Sequence, residues 1–228
     1  MCYTIEINLT REQLEKRYKA QFDSNAPFKK RQAVSAFTLP QLPIICEDNP
    51  EEIKLVTWGL IPFWTEDEDS AEQVRMKTFN AKSETLAEKP SFRHTLKNQK
   101  CLVLINGFYE WQDRGKEKIP HYISLKDIES FALAGLYDDW TNKKTGEMLR
   151  TFTVITSKAN ELMEQIHNSK KRMPVILEPN YEFDWLKAPE EKVKEILKPF
   201  DTNKMKAIEA ESELFGKKKP ESTQGSLF

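Results

Sequence analysis

The sequence predicts an α+β fold: a mostly antiparallel, barrel-like β-sheet core decorated with helices. Two patterns and the chain length predict it. Short apolar runs recur at hairpin-like intervals between Gly-, Pro- and Asn-containing turns, and helical patterns are brief and scattered rather than alternating regularly with strands. A chain of 228 residues can bury one substantial core, so one domain over residues 1–215 is expected, followed by a tail at 216–228.

Residues 2–8 read as a short strand, with Ile5 and Ile7 on one face. Thr10 and Gln13 form a capping-box pattern that starts a helix expected to reach about Phe22, with Leu14 and Tyr18 on its apolar side. Residues 32–46, interrupted by Pro40 and Pro43, and residues 53–61 read as extended. An acidic loop follows Trp64. Helical turns are predicted at 83–89 and 91–99, the second capped by Ser91. The run CLVLINGFYEW, 101–111, is the strongest strand signal, and a turn at Gly115 folds it onto 119–125 as a hairpin. Strands follow at 131–137 and 149–157, joined through Asn142–Gly146, then a helix near 159–166 and an extended 174–177. Helices are expected at 190–197 and around 205–209. From Gly216 the sequence GKKKPESTQGSLF has the composition of a disordered tail.

Composition limits the function. A net charge of −1 leaves no global basic field to draw the chain onto nucleic acid, so any DNA binding needs a local, salt-sensitive basic groove. Three cysteines without a CxxC pair argue against a disulfide frame or a zinc cluster and fit a reducing cytoplasm. Cys46 and Cys101 lie in apolar runs and read as buried small hydrophobes. No signal-peptide core and no long apolar run suggests a membrane. Nothing points to a metal or an organic cofactor.

Cys2 is the residue on which chemistry turns. Loss of the initiator methionine would expose an α-amine beside a thiol, a 1,2-aminothiol able to capture an aldehyde as a five-membered thiazolidine. An α-amine titrates at about 7.7–8.0 against about 10.4 for lysine, so far more of it is neutral and nucleophilic near pH 7. The tethered thiol then closes the ring at high effective concentration. The same amine and thiol also describe an N-terminal-nucleophile peptidase or amidohydrolase, in which the amine serves as base.

Four more segments place polar groups in apolar or turn-rich surroundings: WGLIPFW (58–64), FNAKSET (79–85), NGFYEW (106–111) and IHNSKKRMPVIL (166–177). Singly, each has an ordinary reading. Asn80 is a turn residue, Glu110 a carboxylate on the solvated face of a strand, and His167 a helix-terminal histidine favoured by the dipole. His94 and His121 have no motif behind them and are read as structural.

Together with Met1-Cys2, these segments in this order resemble the SRAP family, the SOS-response-associated peptidases also called abasic-site processing proteins. The resemblance runs from Cys2 to about Pro179 and implies an SRAP-like fold. It further implies single-stranded DNA binding and a covalent thiazolidine between Cys2 and the aldehyde of a ring-opened abasic site, shielding the lesion in the DNA-damage response. An AP-lyase activity and self-removal of Met1 belong to the same picture, set in the cytoplasm at the nucleoid. Carried onto matching positions, Cys2 would crosslink and Asn80 orient it. Glu110 would assist proton transfers at the Schiff base, and His167 would serve as acid or base on the sugar oxygens.

A cationic track with stacking surfaces would hold the strand. Lys82, where the family usually has arginine, Arg93 and the run Lys170, Lys171 and Arg172 are its candidates, with Arg75 and Lys77 weaker ones. Trp58 and Trp64 are the candidate aromatic contacts. Three departures bear on the DNA path: Tyr3-Thr4 where Gly-Arg is usual, Thr65 where a second tryptophan is often found, and Phe37-Thr38-Leu39 before Pro40. Finally, Gln224, Leu227 and Phe228 in the closing QGSLF resemble the peptide with which bacterial replication and repair proteins grip the sliding clamp.

Overall fold

The computed structural model describes residues 2–215. Gln224, Leu227 and Phe228, the candidate clamp-binding residues, lie outside the described residues.

In chain order the strands are β1 (Thr4–Ile7), β2 (Gln21–Phe22), β3 (Arg31–Ser35), β4 (Gln41–Cys46), β5 (Asn49–Trp58), β6 (Asn80–Lys82) and β7 (Lys100–Ile105). They continue with β8 (Gly107–Asp113), β9 (Lys118–Leu125), β10 (Phe131–Thr141), β11 (Met148–Lys158), β12 (Arg172–Pro174) and β13 (Met205–Glu209). The helices are α1 (Arg11–Tyr18), α2 (Glu68–Arg75), α3 (Thr95–Asn98), α4 (Glu161–Ile166), α5 (Glu182–Leu186) and α6 (Glu190–Ile196).

The expected α+β class and barrel-like sheet are both present. Strands β5, β4, β7, β10 and β11 pair antiparallel in that order, and β11 returns to β5 in parallel at Thr151–Thr57 and Phe152–Trp58, closing a barrel. Closure explains why the run 101–105 is apolar without alternation: one face of β7 looks into the barrel and the other is covered by helices, so every residue of it is buried. Cys46 and Cys101 face each other across β4 and β7 as free, buried thiols. A second, wholly antiparallel sheet runs β13-β9-β8-β1-β3 and shares the core of Ile5, Phe108, Ile123, Phe131 and Phe152.

Two features of this frame position the site. Strand β11 is long enough to serve several partners in turn, carrying β6 at Val154–Thr156 and β12 at Thr156–Lys158. Strand β1 lies between β3 and β8 with Thr4 opposite Tyr109, which brings the residue ahead of it alongside Glu110. The segment NGFYEW is thus split at Asn106. Its carboxamide accepts from Asn8 N at 2.6 Å and donates to Glu129 O at 2.5 Å, ending β7 and redirecting the chain into the second sheet.

Gly107 is required there because the ring of Tyr122 lies across it. A Cβ at this position would stand 2.5 Å from ring atoms. That ring is held in place by its hydrogen bond to Glu6 and by packing on Tyr109, with centroids 5.1 Å apart. Gly107→Ala is therefore expected to destabilise the protein by about 1–3 kcal/mol, as overpacking does. Urea denaturation with an unchanged m-value would measure it.

Several local expectations are corrected. Helix α1 has the predicted capping box but stops at Tyr18, because Lys19 turns left-handed at φ 52° and releases Gln21–Phe22 into a strand. The acidic stretch after Trp64 contains α2, whose N-cap Asp67 accepts from Ser70 N at 2.8 Å. Ser91 is not the N-cap of α3, which begins after His94. Residues 205–209 form β13 rather than a helix, since Ala207 and Met205 pack inward against β9. No helix among the described residues is long and apolar enough to cross a membrane.

Candidate active site

Cys2 is fully buried, in the apolar cluster that includes Ile5, Met163 and Ile166. Its sulfur is 4.0 Å from Thr4 O. Burial, reinforced by the negative charge of Glu110, pushes the thiol far above the usual range, so sulfur is held here as a neutral thiol.

Asn80 opens β6. Its Nδ2 donates to Cys2 O at 2.9 Å, which ties the segment ahead of β1 to the barrel. Its Oδ1 is buried and has no hydrogen-bond partner among the described residues, an acceptor held ready. Trp58 explains this placement and corrects one expectation. Rather than lying on a DNA-binding face, it is buried at the barrel seam, stacked on Phe152. Its Nε1 donates to Phe79 O at 2.8 Å and so fixes the backbone just before Asn80.

Glu110 is buried in β8, across from His121 in β9. Burial pushes its carboxyl up to about 7. His167 follows α4 as its C-cap and is also buried. Its Nδ1 lies 2.9 Å from Arg172 O and 3.9 Å from Glu110 Oε1. Burial foremost, then the positive charge of the N-terminus, with smaller contributions from Lys170 and Arg172, lowers this imidazole to about 4. Near neutrality the site thus holds a carboxyl poised between its two forms beside a neutral imidazole, a suitable pair for moving protons.

Glu110 and His167 line a cavity of about 330 Å³ with Tyr3, Trp111, Lys118 and Lys170. Of these, Lys118 has no motif in the sequence, Tyr3 stands there only as a departure from the family pattern, and Trp111 only as the end of NGFYEW. Tyr3 had a signal in its adjacency to Cys2, whereas Lys118 comes to the cavity only through the hairpin pairing of Asp113 with Lys118.

The basic candidates separate into two groups. Lys82, Arg93, Lys170 and Lys171 are exposed, the last in a loose 3.9 Å pairing with Glu164. Arg172 is already engaged, as a bidentate fork on Glu84 at 2.6 and 3.0 Å and on Thr156 O at 2.7 Å. Arg75 is half-buried and Lys77 exposed. Trp64 is half-exposed on a pinned turn, with Phe63 N donating to Asp138 at 2.9 Å. His94 packs against Phe63, and His121 bonds Ile119 O at 3.1 Å. No group of three or more His, Cys, Asp or Glu among the described residues is arranged to hold a metal.

Fold and site together define a class: a barrel-centred α+β protein in which an amide, a carboxyl and an imidazole converge around a cysteine near the start of the chain. The family model described as SOS response associated peptidase (SRAP) matches residues 1–215. The chain belongs to this family. It is 42% identical over 175 residues to the abasic site processing protein YoqW of Bacillus subtilis, 75% of each chain being covered. It is 33% identical over 172 residues to the abasic site processing protein HMCES of Gallus gallus, which covers 66% of this chain and 50% of that one. A crystal structure of a Bacteroides thetaiotaomicron protein superposes with a TM-score of 0.90 at 38% identity, covering 95% of both chains.

Proposed function

We propose that the protein binds single-stranded DNA at abasic sites and joins itself to them through a thiazolidine on Cys2. The observation that carries this reading is the meeting of Cys2, Asn80, Glu110 and His167, with a 2.9 Å bond from Asn80 to the Cys2 carbonyl and 3.9 Å between Glu110 and His167. Relatives named as abasic site processing proteins support it.

The chemistry follows from the groups. Removal of Met1 frees the Cys2 amine, which adds to the C1′ aldehyde of the ring-opened sugar. Glu110, carrying a proton for part of the time near pH 7, delivers it to the departing hydroxyl as the carbinolamine becomes an imine and water leaves. The nitrogen keeps its hydrogen through this loss of water, so the imine is protonated; the carboxylate left behind can then take the thiol proton as sulfur adds to the imine carbon, closing a neutral thiazolidine. This assigns Glu110 both halves of a proton cycle and suits a thiol that enters un-ionised. His167, neutral, exchanges protons with the sugar oxygens during ring opening. Should the imine persist, β-elimination would cleave the strand, an AP-lyase side reaction. Exposed Lys82, Arg93, Lys170 and Lys171 would track phosphates, and Trp64 would stack on a base beside the lesion. Grip on a sliding clamp through QGSLF would bring the protein to replicating DNA.

The test is intact mass spectrometry of natively processed protein after incubation with a uracil-excised oligonucleotide. A mass equal to protein without Met1 plus oligonucleotide, less one water, is expected. Unmodified protein with bound but unlinked DNA would overturn the reading.

A further inference from the structure

The FNAKSET segment reaches the site twice. Through Asn80 it holds Cys2, as described. Four residues later Glu84, in the 3-10 turn Ser83–Thr85, takes the guanidinium of Arg172 in a bidentate pair at 2.6 and 3.0 Å. The same guanidinium also donates to Thr156 O at 2.7 Å and to Thr156 Oγ1 at 3.1 Å. Arg172 is thereby fixed from two elements and is only 12% exposed, although three basic residues crowd this loop.

What Arg172 does with its backbone is the consequence. Its carbonyl lies 2.9 Å from His167 Nδ1. A carbonyl can only accept, so Nδ1 must carry the hydrogen and the neutral ring is left with Nε2 as its basic nitrogen. The intervening loop returns tightly: Lys171 N bonds His167 O at 2.8 Å, and Lys171 adopts φ 49°. Lysine takes this left-handed conformation at a cost. The backbone around it is tied to β11, with Ala159 N donating to Lys171 O at 3.0 Å and Lys158 opposite Arg172, and the Glu84–Arg172 pair adds a side-chain anchor beside the carbonyl that meets the ring.

We propose that Glu84 is a positioning residue: by clamping Arg172 it holds the carbonyl that locks His167 in the Nδ1–H form. One short strand and turn would then set both the cysteine and the imidazole in register with β11. The effect on adduct formation rests on the function proposed above; the tautomer does not.

The experiment is 15N NMR of histidine-labelled protein near pH 7, with His167 assigned by loss of its signals in His167→Gln. In the wild type, the shifts are expected to report a protonated Nδ1 and an unprotonated Nε2. Glu84→Ala is expected to give mixed tautomers, Glu84→Asp to restore part of the native pattern, and Glu164→Ala, which loosens only Lys171, to leave it unchanged. If Glu84→Ala does not fold, Glu84→Gln, which keeps the shape but loses the charge, carries the comparison. A folded Glu84→Ala or Glu84→Gln protein with the wild-type tautomer would overturn the proposal. Where the tautomer does shift, adduct formation is expected to slow about tenfold or more. A shifted tautomer with an unchanged rate would uphold the clamp and count instead against the role given to His167.

Discussion

Cys2→Ser is expected to remove the stable DNA adduct completely while leaving an imine that borohydride can trap. The amine is untouched, so the first addition and loss of water still occur. The hydroxyl that replaces the thiol is a far poorer nucleophile, and any oxygen-containing ring it closes reopens readily. Two readouts of one reaction separate these steps: mass after simple quenching, and mass after reduction. Loss of both would show that the substitution acts on the fold. That cost is bounded: Cys2 is wholly buried, and its sulfur lies 4.0 Å from Thr4 O. A serine hydroxyl left there without good geometry costs about 1–3 kcal/mol. Survival of a quench-stable adduct in Cys2→Ser would place the covalent bond elsewhere.

The site was legible in the sequence through residue types in order, and the structure adds what only folding supplies. Thr4 opposite Tyr109 sets the residue before β1 beside Glu110, a juxtaposition across about a hundred residues that no local pattern contains. Alternation along NGFYEW suggested an outward carboxylate. Glu110 is instead buried, because α4 and its loop cover that face of the second sheet. Trp58 is a candidate DNA contact from the WGLIPFW segment alone; barrel closure by β11 surrounds it instead. Helix propensity misjudged residues 205–209, where pairing with β9 outweighs the local preference of MKAIE. The α+β class itself needed none of these contacts, since the spacing of apolar runs and turns already required a hairpin-rich sheet.

Glu110→Gln is expected to slow adduct formation by about 10²–10⁴-fold, the range for loss of a placed acid–base group, and also to unmask a pH dependence of stability that the wild type conceals. The folded carboxyl of Glu110 sits at about 7 against an ordinary 4.5. Between those values the native state keeps a proton that the unfolded chain has lost, so this group's contribution falls as pH rises through the window. His167 has the opposite sign. At about 4 folded against 6.5 ordinarily, it refuses a proton that the unfolded chain accepts, so its contribution falls as pH drops from 6.5 toward 4. From pH 4.5 to 6.5 the two slopes, each at most about 1.4 kcal/mol per pH unit, offset one another. Urea denaturation across this range, referred to the wild type, should show stability rising with pH in Glu110→Gln and falling with pH in His167→Gln. Variants that both run parallel to the wild type would mean the two groups are not buried against their charged forms. The proton cycle assigned to Glu110 would then lose its physical basis, because an ordinary carboxylate near 4.5 holds almost no proton to deliver at neutral pH.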